Sequence, residues 1–344
     1  MSKEKIEIFE INENKEIYKI RSNQYIKIKT LGEGGCGKVF LVKQENSFNE
    51  KDSKYFALKI NKRFKVIGND DKKNKEEKPK ELNFIETREL YILKKVKGHP
   101  NIIDLVDFDI DRKEHEIWLL MEYIPIDLGK FFFKNENNPK IMNEKFFKKI
   151  AYQILSGVKH LHQNDIIHCD LKLENILYDE AKDIIKIADF GLSRQYDYDI
   201  NNQYADVGTY PYKPCEIILG LRHYSPSTFD IWSVGCCFVE ICTGFHLFGK
   251  DNSLSVIKLI YEKIGPFNDE VFPGYKYFPK SNLLEKLNEI KGMGLINYIK
   301  KNKKFDFENN NFYDLIEKML CINPLKRINA KECLTHSWFS DINN

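Results

Sequence analysis

The stretch from His168 to Asn175, His-Cys-Asp-Leu-Lys-Leu-Glu-Asn, constrains this chain more than any other. It sets a carboxylate (Asp170), an ammonium (Lys172) and an amide (Asn175) in one short loop. The apolar pairs Ile166-Ile167 and Ile176-Leu177 flank it. A polar loop pinned between two buried anchors holds its charged groups in fixed places, because the anchors tie it to a rigid scaffold. Asp189-Phe190-Gly191 follows soon after, and a glycine-rich turn and a strand lysine lie well upstream.

The scaffold can be read from hydrophobic periodicity. At 344 residues the chain is too long for one compact core and fits two lobes. Residues 1–24 are charged and mixed, and read as a loosely ordered N-terminal extension. Residues 25–31 alternate with period two, as do 38–42 beyond the glycines, which predicts a two-stranded hairpin. Residues 54–60 predict a third strand. Residues 62–81, rich in Lys, Asp, Asn and Glu, read as a solvated loop insertion. Helical spacing over 82–97 ends at Gly98-His99-Pro100, and strand-like runs follow at 102–108 and 117–121. Residues 122–127 look like a connector. Beyond it the pattern is helical: a long amphipathic segment at 143–162, a run at 229–242 that is apolar on nearly every face and so should be buried, and pieces at 312–321 and 330–336. The expected fold is α+β, with a small antiparallel β lobe holding one main helix (25–122), a larger mainly α lobe (127–339) and a short tail (340–344).

Composition removes several function classes. The formal net charge is +3, which by itself implies no nucleic-acid partner. None of the 8 cysteines stands in a Cys-x-x-Cys pair, so a reducing compartment is the simpler reading. The first residues carry charges and no apolar signal core, and no run is long and apolar enough to span a membrane. An intracellular protein of cytoplasm or nucleus, with no membrane association, is expected.

Residues 32–39 fit G-x-G-x-x-G-x-V, with Gly32, Gly34, Gly37 and Val39 in place. Glycines let backbone amides approach phosphate oxygens closely. A dinucleotide-binding loop shares the pattern but requires a helix next, and here strands flank both sides. No G-x-x-x-x-G-K-[ST] is present, which excludes a P-loop. Lys59, beside Ala57 in the third strand, suits a point charge on α- and β-phosphates, and Glu89 on the following helix is the natural partner to hold it. Asp170 suits a base for an attacking hydroxyl, Lys172 a neutraliser of charge on the γ-phosphate, and Asn175 and Asp189 oxygen ligands for Mg²⁺. Each alone could be a capping or turn residue; together, at these spacings, they describe phosphoryl transfer. His168 and Phe190 read as core.

These residues resemble the eukaryotic protein kinase family over 25–339. Asp230-Ile-Trp-Ser-Val-Gly235 and Arg327 also appear in family order. The resemblance implies a bilobal fold with ATP and Mg²⁺ in the cleft, lined by Leu31, Gly32, Gly34, Gly37, Val39, Ala57, Lys59, Glu89, Glu122, Ile124 and Leu177. It implies protein substrates, a structural pair of Glu216 with Arg327, and a spine of Leu93, Leu105, His168 and Phe190. Lys172 and Thr209 point to serine/threonine specificity. The segment Thr209-Tyr-Pro-Tyr-Lys-Pro-Cys-Glu216 resembles that of the CMGC group, and Cys169, where arginine is usual, resembles the dual-specificity tyrosine-regulated and pre-mRNA-processing kinases. In the activation loop Tyr204 and Asp206 fall at or near the activating tyrosine, and Asp206 could stand in for a phosphate with about one charge against roughly −1.5 to −2. Lys213 and Pro214-Cys215 depart from the group's Arg-Ala-Pro, which leaves a preference for proline after the acceptor open. No required regulatory subunit is evident, since residues 82–89 carry no clear cyclin-binding signature. A pseudokinase scaffold is the competing reading, and a small-molecule kinase a more distant one.

Overall fold

Alternating side chains divide the first sheet into two faces with different tasks. A computed structural model describes residues 16–34, 37–45, 54–61, 84–111, 116–134, 143–196, 207–221, 226–249, 252–287, 292–304 and 308–342. The insertion predicted at 62–81 lies outside the described residues. Strands β1 (Ile17–Ile20), β2 (Asn23–Gly34), β3 (Gly37–Gln44) and β4 (Tyr55–Asn61) precede helix α1 (Phe84–Lys95), and β5 (Leu105–Asp111) and β6 (Glu116–Glu122) follow it. The sheet runs β1-β2-β3-β4-β6-β5, antiparallel at every junction. Phe40, Leu58 and Leu120 stand in register across β3, β4 and β6, and join Ile20, Tyr25 and Val42 in one buried cluster. The adjacent rows, Val39–Lys59–Leu119 and Leu41–Ala57–Met121, therefore face the other side.

Two expectations change here. Residues 17–20, read as part of a loose extension, form β1, because Ile17 to Ile20 pair with Asn23 to Ile26 and bring Ile20 into the core. The predicted strand at 102–108 begins at Leu105; Ile102 instead makes a parallel bridge to Ile187, and the Ile103 amide donates to the Ile187 carbonyl.

The chain forms two compact units, one of residues 1–87 and 104–123, the other of 88–103 and 124–344. The connector was expected at 122–127; the first unit ends at Tyr123 and the second resumes at Ile124. The segment 88–103, assigned by sequence to the small lobe, belongs to the second unit. Its polar groups explain this: Asn101 Nδ2 donates to Gln153 and to the Ile185 carbonyl, and the Ile187 amide donates to the Asn101 carbonyl.

The second unit contains β7 (Ile126–Asp127), α2 (Leu128–Lys134), α3 (Glu144–Gln163), β8 (Ile166–Ile167), β9 (Ile176–Asp179), β10 (Ile184–Ile187) and β11 (Arg194–Gln195). Helices α4 (Cys215–Ile218), α5 (Pro226–Thr243), α6 (Ser253–Lys263), α7 (Leu295–Asn302), α8 (Asn310–Met319) and α9 (Ala330–Leu334) complete it. Asn143 caps α3 by accepting from the Phe146 amide, and the helix buries Phe147, Ile150, Ile154, Leu155, Val158 and Leu161. Residues 229–242 of α5 are buried on every face, as the sequence requires. The polar loop 168–175 leaves β8 against this framework and re-enters it at β9.

Candidate active site

Ile166-Ile167 pairs with Arg194-Gln195, which fixes the start of the loop. The next anchor is Asp230, buried at the start of α5. Its carboxylate accepts from the His168 amide at 2.9 Å and the Cys169 amide at 3.0 Å, and lies 2.9 Å from His162 Nε2. Cys169 takes φ 66°, a left-handed conformation costly for a residue with a side chain, so the Asp230 clamp holds the chain where it would not stay unaided. Burial, reinforced by the Asp230 carboxylate, pushes the Cys169 thiol well above its ordinary value; it packs as a neutral side chain among Ile167, Ile217 and Phe229.

His168 is fully buried, with its ring 5.0 Å from that of Phe190. It has a polar task as well. Its Nε2 donates to the Ala188 carbonyl at 3.0 Å, which leaves Nδ1 to accept from the Asp170 amide at 3.3 Å. One ring thus joins the backbone of Asp170 to that of the residue before Asp189.

Asp170 is the centre of the loop. Its Oδ1 accepts from Thr209 Oγ1 at 2.6 Å; its Oδ2 accepts from Lys172 Nζ at 2.7 Å and from Asn175 Nδ2 at 3.1 Å. Lys172 also donates to Thr209 Oγ1 at 3.2 Å, and Asn175 Nδ2 to the Asp170 carbonyl at 2.8 Å. Both Asn175 side-chain bonds use Nδ2, which turns Oδ1 into the group's remaining oxygen donor. The Asn175 carbonyl accepts from the Ala188 amide, so the segment leading to Asp189 is tied to this loop. Asp189 takes φ 61°. Among the described residues no cluster of three or more His, Cys, Asp or Glu side chains could hold a metal alone. One amide and one carboxylate oxygen are instead the ligand types that would suit Mg²⁺, an ion held by few protein oxygens.

The phosphate-facing candidates of the first unit lie on one hairpin and one strand. Glu33 pairs with Lys38 and Gly34 with Gly37 across the β2–β3 turn. Gly37 takes φ 144°, and a Cβ there would collide with the Ile60 carbonyl, so the turn requires glycine. Val39, Ala57 and Lys59 share the sheet face opposite the buried cluster, and Lys59 is 4% exposed. Leu31 is partly exposed, and the Glu122 carboxylate accepts from the Asp104 amide. Glu89, Ile124 and Leu177 belong to the second unit, the first two buried. Tyr204 and Asp206 lie outside the described residues. The spine candidates Leu93, Leu105, His168 and Phe190 are all buried.

Glu216 of α4 and Arg327 meet in a bidentate pair at 2.6 and 2.9 Å, both side chains fully buried. Arg327 also donates to the Thr228 and Cys321 carbonyls and lies 4.8 Å from the centre of the Trp232 ring. Such a pair is costly to break, because removing one partner strands the other charge, at about 3–5 kcal/mol. It fixes the segment that begins at Thr209.

Sequence reasoning assigned no task to Glu240, His246 or Tyr212, and gave Asp230 only a place in a motif. Glu240 Oε2 accepts from the Tyr212 hydroxyl at 2.6 Å, and Oε1 lies 2.9 Å from His246 Nδ1. A signal was present: Asp230 and Glu240 are the only carboxylates in an apolar run, and a buried carboxylate requires partners.

The protein kinase domain model matches residues 25–339. Over 322 residues the chain is 30% identical to Cyclin-dependent kinase B2-1 of Oryza sativa subsp. japonica, covering 93% of this chain and 90% of that protein. It is also similar to a chain in the solved structure of the CAK complex from Chaetomium thermophilum bound to ATP-γ-S, with TM-score 0.73, 29% identity, and coverage of 92% of this chain and 90% of that one. With the loop 168–175 assembled around Asp170 and relatives aligned over most of both chains, this chain belongs to the eukaryotic protein kinase family, within its CMGC group.

Proposed function

We propose that this chain transfers the γ-phosphoryl group of ATP to serine or threonine hydroxyls of protein substrates, with Asp170 as the base. The observation that carries the reading is the convergence of Thr209, Lys172 and Asn175 on the Asp170 carboxylate. A carboxylate held this way points in a fixed direction before any acceptor arrives, so orientation costs nothing at the moment of reaction. It orients the acceptor hydroxyl and takes its proton. Lys172, already beside Asp170, offsets charge developing on the transferred group. Asn175 and Asp189 would hold Mg²⁺, which would supply positive charge to offset that of the phosphates. The hairpin glycines with Lys59 would hold the remaining phosphates, and Glu89 would pair with Lys59. Leu31, Val39, Ala57, Glu122, Ile124 and Leu177 would line the adenosine side.

Phosphate transfer to a generic serine/threonine substrate by purified protein tests this, with Asp170→Asn as the control. The rate should fall about 10²- to 10⁴-fold in the variant. Equal transfer by both proteins would sink the reading and leave the pseudokinase scaffold. The retention of Lys59, Asp170, Asn175 and Asp189 favours the enzyme.

Finer placement rests on fewer residues. Cys169 favours the dual-specificity tyrosine-regulated and pre-mRNA-processing branch, whereas the relative named above is a cyclin-dependent kinase. That relative's name, and the complex containing the structural neighbour, are what support a regulatory subunit as partner. Tyr204, Asp206 and Thr209 as activation-loop residues, and residence in cytoplasm or nucleus, belong to the same proposal. Among the described residues no helix is long and apolar enough to cross a membrane.

A further inference from the structure

Glu240 lies on α5 at 2% exposure. A carboxylate that deep is tolerated only if both oxygens find donors. Tyr212 supplies one: its hydroxyl is 2.6 Å from Oε2 and 3.3 Å from His246 Nδ1, so the shorter bond takes its proton. Burial, with nearby Cys237 and Glu240, pushes the Tyr212 phenol far above its ordinary value, so it remains a donor. The second oxygen, Oε1, is 2.9 Å from His246 Nδ1. A carboxylate oxygen accepts, so in this contact Nδ1 of His246 is the donor. His246 follows α5 and is the only partly exposed member of the trio, its side chain 25% exposed against 2% for Glu240.

From Tyr212 the connection continues to the reacting loop. The Tyr212 carbonyl accepts from Ser233 Oγ at 2.8 Å, and its amide donates to the Thr209 carbonyl at 3.0 Å, closing the turn 209–212. Thr209 Oγ1 then donates to Asp170 Oδ1 at 2.6 Å. We propose that His246 is a positioning residue for phosphoryl transfer: its Nδ1–H holds Glu240, Glu240 holds Tyr212, and Tyr212 sets the turn that presents Thr209 to Asp170. Without that N–H, Glu240 keeps one donor, Tyr212 loosens, and the Thr209–Asp170 contact loses its fixed geometry. This deepens the kinase reading and rests on it.

His246→Ala removes the donor; His246→Asn restores an N–H near the place of Nδ1. Steady-state kinetics of the full chain, with ATP and a peptide that wild type phosphorylates, should show peptide kcat/KM falling about tenfold in His246→Ala. KM for ATP should be unchanged, and most of the loss should be recovered in His246→Asn. Wild-type kinetics in His246→Ala, equal losses in both variants, or a parallel rise in ATP KM would each overturn the proposal. Hydrogen exchange of the Tyr212 and Thr209 amides is a second readout that needs no turnover. Exchange should quicken in His246→Ala and return in His246→Asn, and unchanged exchange overturns the proposal. A wild type that transfers no phosphate defeats the kinase reading, and exchange then decides the positioning separately.

Discussion

Cys169 shows how one side chain alters the setting of a loop without altering its chemistry. Its neighbours to either side keep their tasks: His168 orients the Asp170 amide, and Asp170 collects Thr209, Lys172 and Asn175. The thiol itself is fully buried among Ile167, Ile217 and Phe229. Arg88 and Arg194 bond nearby backbone carbonyls, at Gly191 and at Leu192 and Ser193. Cys169→Arg would force a longer, charged side chain into this space, beside two arginines. Overpacking alone costs about 1–3 kcal/mol. We expect the urea midpoint of the unphosphorylated variant to fall without a change in slope; a variant as stable as wild type would mean that the site has room for a guanidinium.

The connection after α1 is stabilised by elements that its position in the chain does not suggest. His99 stacks on His160 of α3 at 4.5 Å between ring centres, and His99 Nδ1 accepts from the Asn101 amide. Burial, then His160 and Lys186, lowers the His99 pKa from 6.5 to about 4. The folded form keeps His99 neutral where the unfolded chain binds a proton, so stability is present above 6.5 and is lost as pH falls towards about 4. His99→Asn keeps an acceptor for the Asn101 amide and cannot titrate. Urea unfolding of both proteins across that range should show wild type losing stability relative to the variant as the solution is acidified. Parallel curves would mean that the stack leaves His99 with its ordinary affinity for protons.

At the scale of the whole molecule, Lys59 belongs to the first unit and Asn175 and Asp189 to the second, and each is proposed to bind ATP or its Mg²⁺. Ligand that binds only the folded chain stabilises it by about 2.7 kcal/mol at a hundred times its Kd. Saturating ATP with Mg²⁺ should therefore raise Tm. Lys59→Ala and Asp189→Asn should each reduce that rise at fixed ligand, and with Mg²⁺ chelated the Asp189 variant should match wild type. A Tm indifferent to ATP and Mg²⁺ would count against nucleotide binding.

Local patterns alone determined much of this protein. The strand-like runs became β2, β3, β4 and β6, the amphipathic run became α3, and the apolar run became the buried α5, because side-chain patterning follows backbone geometry. The spacing of Asp170, Lys172 and Asn175 was legible because one short loop holds all three. Tertiary structure alone decided what links distant positions. It gave 17–20 a strand partner, moved 88–103 into the second unit through Asn101, and brought Thr209 onto Asp170. It also found the partners of Asp230 and Glu240. Sequence shows that a carboxylate in an apolar run needs donors, but donors such as the His168 and Cys169 amides carry no side-chain signature, and only folding brings them within reach.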